Sequence, residues 1–83
     1  ELWNKKGLVL FEMKNPQEAL NAHEKALELA PDDISILNNK KEVLKALERH
    51  EDVITVCDKI LELEPRNIQA LNEKGSVLLF LGE

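Results

Sequence analysis

From Leu2 onward the apolar residues arrive at spacings of three and four. Leu2, Trp3, Leu10 and Met13, with Gly7 among them, fall on one side of a helix of 3.6 residues per turn. Asn15-Pro16-Gln17-Glu18 stops that pattern and restarts it. Asn15 stands in the N-cap position, Pro16 at the first helical residue and Glu18 three residues past the cap. Ala19, Leu20, His23, Ala26, Leu27 and Ala30 then form the stripe of a second helix, ended by Pro31. The same reading predicts helices near 34–47 and 51–64, the latter ended before Pro65, and a fifth from about 67 to 81. Nothing alternates with period two, so no strand is predicted.

The pattern repeats. At an offset of 34 residues, 16 of the 49 overlapping positions are identical, where chance would give roughly 4 for this composition. Leu2-Trp3-Asn4-Lys5-Lys6-Gly7 falls on Ile36-Leu37-Asn38-Asn39-Lys40-Lys41 and again on Ala70-Leu71-Asn72-Glu73-Lys74-Gly75. Asn4/Asn38/Asn72, Lys6/Lys40/Lys74, Val9/Val43/Val77 and Leu10/Leu44/Leu78 agree in all three copies, and Lys25, Leu27, Glu28, Leu29 and Pro31 return as Lys59, Leu61, Glu62, Leu63 and Pro65. The organisation expected is two helical hairpins, about 1–33 and 34–67, and the first helix of a third, 68–83. Because the chain starts in a first helix and ends after one, the expectation is a piece of a longer array. Trp3, Leu37 and Leu71 are expected in the core. Gly7 and Gly75 should let the partner helix approach closely, against Ala19 and Ala26 in the first copy. Lys41 fills that column in the middle copy, where its stem should snorkel outward.

Composition narrows the function classes. A formal net charge of −5 and a pI near 5.0 speak against nucleic acid, which needs a basic surface, and against an anionic membrane face. No apolar run is long enough to span a bilayer or to serve as a signal peptide. Cys57 is the single cysteine, so no disulfide forms within the chain and a reducing, cytoplasmic setting is expected. His23 and Cys57 share a column, but two ligands make no closed zinc site, and both lie on the apolar stripe of a second helix, which is core. His50 reads as a solvated helix terminus. Glu18, Glu24, Glu28, Asp52, Glu62 and Glu64 read as solvent faces and partners of helix N-termini. With no phosphate loop, nucleophile triad or metal-spaced cluster, the chain is expected to be no enzyme and to carry no cofactor or metal.

The period, Trp3, Gly7, Ala19, Ala26 and both prolines resemble the tetratricopeptide repeat family, with its W-x2-L-G-x2-Y…A-x3-F…P pattern. Lys6, Leu10 and His23 depart from it, standing where that pattern has leucine, tyrosine and phenylalanine. The resemblance implies an all-α superhelix (solenoid) of antiparallel hairpins, non-catalytic, whose first helices line a concave groove for a peptide or partner protein. The groove residues it implies are Glu1, Asn4, Leu8, Phe11 and Glu12; Ser35, Asn38, Asn39, Glu42 and Lys45; and Gln69, Asn72, Glu73, Ser76, Leu79 and Phe80. Asn4, Leu8 and Phe11 lie at i, i+4, i+7, as do Asn72, Ser76 and Leu79, which supports the grouping.

Within that groove the Asn4/Asn38/Asn72 column would form a row of amides able to grasp an extended peptide backbone. Leu8, Phe11, Leu79 and Phe80 would anchor apolar side chains or pack on neighbouring repeats. Lys6, Lys40 and Lys74 are expected to be solvated. A lysine–asparagine clamp for a C-terminal carboxylate, known in some family members, matches only at Asn39. The alternative function is a structural spacer or self-associating segment, because Val77, Leu78, Phe80 and Leu81 of the fifth helix should be left partly bare. That would make a homo-oligomer through the terminal helix.

Overall fold

The structure, a computed structural model, describes residues 2–82; Glu1 of the implied groove lies outside the described residues. It contains α1 (Leu2–Glu12), α2 (Pro16–Leu29), α3 (Ile34–Ala46), α4 (His50–Leu63) and α5 (Ile68–Gly82). No strand occurs among the described residues. Each helix packs on the one before and the one after, with a lighter contact between α1 and α3. The chain is thus an all-helical solenoid. Its core runs through Ala19, Leu20, Leu37, Val43, Leu44, Val53, Cys57, Ile60, Ala70 and Val77. No helix among the described residues is long and apolar enough to cross a membrane.

Two kinds of turn alternate, each built the same way twice. After α1, Lys14 N–H donates to Phe11 O and Asn15 N–H to Leu10 O; after α3, Glu48 N–H donates to Lys45 O and Arg49 N–H to Leu44 O. These are Schellman closures, and they place Lys14 (φ 65°) and Glu48 (φ 58°) in the left-handed region. The longer turns before α3 and α5 end on side-chain caps. Asp33 accepts from Ile36 N–H at 3.2 Å, and Asn67 Oδ1 accepts from Ala70 N–H at 2.9 Å. Asn15 precedes α2 as expected, but its side chain makes no capping bond.

Packing corrects several expectations. Gly7 does allow a close approach, but to His23: a Cβ there would lie 2.7–2.9 Å from the imidazole, ahead of Ala19 or Ala26. Gly75 meets nothing within 4 Å, so it makes no close contact among the described residues. Lys41 does not snorkel outward; it is 2% exposed, within the helix packing. Trp3 is half-buried, and Leu71 is 50% exposed, so of that column only Leu37 belongs to the core. Leu2 and Met13 are also exposed, and Val77 is buried, not bare. Among the described residues α5 packs on α4 and on no following helix, which is why that column opens in it.

Candidate protein-interaction surface

The face shared by α1, α3 and α5 is tied together by two polar bridges. Asn39 Nδ2 donates to Asn4 Oδ1 at 3.0 Å, joining α3 to α1. Lys45 Nζ donates to Glu73 Oε1 at 3.1 Å, joining α3 to α5, and also lies 3.7 Å from Glu42. The Glu73 hydrogen bond raises the Lys45 pKa above its ordinary value, with the charges of Glu42 and Glu73 adding to it against a smaller desolvation. Both bridges cross between first helices. They bring Asn39, Glu42, Lys45 and Glu73 onto one surface.

The amide row does not form as three equivalent groups. Asn4 is buried at 8% exposure and spends its carbonyl on Asn39; Asn38 is half-buried, and Asn72 is exposed. The position that Asn39 holds beside Asn4 is occupied one repeat on by Glu73, which Lys45 engages. Leu8, Ser76, Leu79 and Phe80 are exposed, and Phe11 is half-buried against the core. Phe80 also packs on His50, ring centroids 4.7 Å apart, so His50 is a half-buried aromatic partner and not a freely solvated terminus. A cleft of about 220 Å³ opens there between Lys45, Glu73, Ser76 and Phe80.

The repeated lysines are not simply solvated. Lys40 Nζ lies 3.7 Å from Glu24 and Lys74 Nζ 2.6 Å from Asp58. Glu24 and Asp58 are themselves 34 residues apart, so each pair joins a second helix to the next first helix. Lys59 of α4 reaches Asp32, in the turn between α2 and α3, at 3.3 Å. Scanning the acid column beside the lysine column at the same offset would have found this in the sequence.

His23 and Cys57 are wholly buried, as expected of core. Burial lowers the His23 pKa, and neither ring nitrogen has a hydrogen-bond partner among the described residues. Burial likewise pushes the Cys57 thiol up, opposed in part by the nearby Lys41 charge.

Comparison with known proteins follows the same lines. The family model described as Tetratricopeptide repeat matches residues 1–33. A solved structure titled "MamA RS-1 ArsTM double mutant" superposes with a TM-score of 0.88 at 28% identity, over 96% of this chain. This chain spans 45% of that one. No curated protein matches the sequence.

Proposed function

We propose that this chain, whose residues 1–33 match the Tetratricopeptide repeat model, is a protein-interaction scaffold of that family and binds an extended peptide or partner segment along the face of α1, α3 and α5. The observation that carries it is the pair of bridges, Asn39–Asn4 and Lys45–Glu73. They engage groups of this face before any ligand arrives, which favours a partly pre-ordered surface. On that face Asn38, Asn39, Glu42, Asn72 and Ser76 offer polar contacts, while Leu8, Phe11 and Leu79 offer apolar ones. Asn4 acts by positioning Asn39, not by reaching the ligand. The module is non-catalytic in this reading, and the buried free thiol of Cys57 supports a reducing, cytoplasmic setting. The test selects short peptides from a random display library on the wild-type chain and measures their affinity for Asn72→Ala, Leu79→Glu and Leu8→Glu. A loss of about tenfold or more is expected where a central anchor goes. Affinities unchanged by all three substitutions would remove the binding face.

A second reading is self-association through α5. Leu37, Lys41 and Leu44 are buried in α3, yet Leu71, Gly75 and Leu78 of the same columns lie open in α5, with Phe80 and Leu81 beside them. Sedimentation over a wide concentration range tests this against Leu78→Glu. A wild type that stays monomeric throughout would reject it.

A further inference from the structure

The two junctions between first helices are not alike, and the difference builds a cleft at the second. At the 34-residue offset Phe11, Pro16 and Ala46 correspond to Lys45, His50 and Phe80. Where α1 meets α3, Phe11 lies half-buried against the core. Where α3 meets α5, Lys45 takes that place, its ammonium 3.1 Å from Glu73 and 3.7 Å from Glu42. Phe80, in the place of Ala46, rests on His50 with ring centroids 4.7 Å apart. The cleft of about 220 Å³ between them, lined further by Ser76 and buried Val77, is smaller than a drug-sized pocket of about 300–1,000 Å³ and suits one long side chain. This ledge stays open inside an array. Glu42 and Ala46, the equivalents of Ser76 and Phe80 one copy earlier, are exposed although α4 and α5 follow them.

Charge selects the occupant. Two carboxylates share one ammonium here, so Glu42, Glu73 and Lys45 together carry one surplus negative charge. Lys45 takes Oε1 of each carboxylate, which leaves Oε2 of both for a second cation. Phe80 is 61% exposed, and an open aromatic face is negative and attracts a cation. The surroundings already favour one, since the Lys45 pKa is raised, chiefly by the Glu73 hydrogen bond. An anion would meet Glu42 and Glu73 as like charges and would have to take Lys45 from both. An apolar side chain would cover Glu73 further and give it no new partner.

We propose that the cleft between α3, α4 and α5 is a subsite for one arginine side chain of the partner segment, its guanidinium laid on Phe80 and paired with Glu73 and Glu42. Arginine fits better than lysine because a planar fork can stack on a ring and bond two carboxylates at once. The inference rests on the peptide-binding reading above and adds to it the charge of the residue that enters beside α5.

The probe is an acetylated, amidated pentapeptide with arginine between two pairs of alanines, compared with its citrulline, lysine and glutamate counterparts. Phe80 and His50 ring resonances report the cleft by NMR. A saturable shift is expected with arginine, about tenfold weaker with citrulline, which has the shape without the charge. Glu73→Gln should weaken binding about tenfold, and Phe80→Leu, read at His50, about threefold. Lys45→Met should strengthen it about threefold, because it frees both carboxylates. Glu28→Gln, which removes an exposed carboxylate of α2, should leave it unchanged. No saturable shift, or citrulline or lysine binding as well as arginine, overturns the proposal. Loss of binding in Lys45→Met with a preference for the glutamate probe overturns it in favour of an anion site. Library peptides that bind this face without arginine would sink the subsite and leave peptide binding standing. A saturating arginine probe with no library peptide bound would keep the subsite and remove the extended peptide.

Discussion

Gly7 and Gly75 occupy one column of the repeat but meet different surroundings, so the same substitution should act in opposite directions. Gly7→Ala drives a Cβ to within 3 Å of the fully buried His23 ring and should cost about 1–3 kcal/mol net of any helix gain. Gly75→Ala meets open space and should stabilise by about 0.5–1 kcal/mol through helix propensity. Chemical denaturation of both variants checks the pair. The middle copy shows how the column is balanced: large Lys41 stands opposite small Cys57, where small Gly7 stands opposite large His23. His23→Cys should therefore relieve much of the Gly7→Ala cost, as a double-mutant cycle would read. His23 also couples stability to pH. Its pKa is lowered by burial, so the unfolded chain binds the proton more readily. The stability tied to neutral His23 is complete above about pH 6.5 and declines as pH falls below it. Thermal melts between pH 8 and 5 should show a decline in wild type that is smaller in His23→Phe; equal declines would clear His23 of the effect.

At the scale of the helix, the turns separate caps that bond from caps that only occupy the position. Asp33 bonds the α3 N-terminus, so Asp33→Ala should cost about 1 kcal/mol. Asn15→Ala should cost much less, since Asn15 makes no side-chain cap. Lys14 and Glu48 hold left-handed backbone without being glycine. Lys14→Gly and Glu48→Gly should each stabilise by about 1 kcal/mol, relieving a conformation that costs a side-chain-bearing residue roughly that much. Equilibrium denaturation of the four variants measures all of these, and a destabilised Lys14→Gly would show that its side chain matters more than its backbone.

Across the whole molecule, stability should be graded along the solenoid. Most residues with essentially no exposure, including Ala19, His23, Val43, Leu44, Val53, Cys57 and Ile60, belong to α2, α3 and α4, with Ala70 of α5 beside them. Only Asn4 and Gly7 of α1, and Ala70 and Val77 of α5, are buried. In an array where units contact only their neighbours, the ends open first. Amide exchange should therefore be slowest in α2–α4 and faster in α1 and α5; uniform protection would mean one all-or-none unit. The ion pairs Lys40–Glu24, Lys59–Asp32 and Lys74–Asp58 are partly exposed, so each adds at most about 1 kcal/mol. Their larger effect is on which helix face is accepted.

The sequence alone determined the helices, their 34-residue recurrence and the all-helical solenoid, because 3.6-residue periodicity and Pro/Asn punctuation act locally along the chain. It also held both the lysine and the acid columns, which become ion pairs only once α2 lies against α3 and α4 against α5. What each column does was decided by tertiary structure. Asn4, Asn38 and Asn72 are identical letters, yet one is buried on Asn39, one half-buried and one exposed. Leu37 and Leu71, and Gly7 and Gly75, part in the same way. A repeat supplies equal residues, but the packing partner on either side differs from copy to copy, and burial depends on the partner.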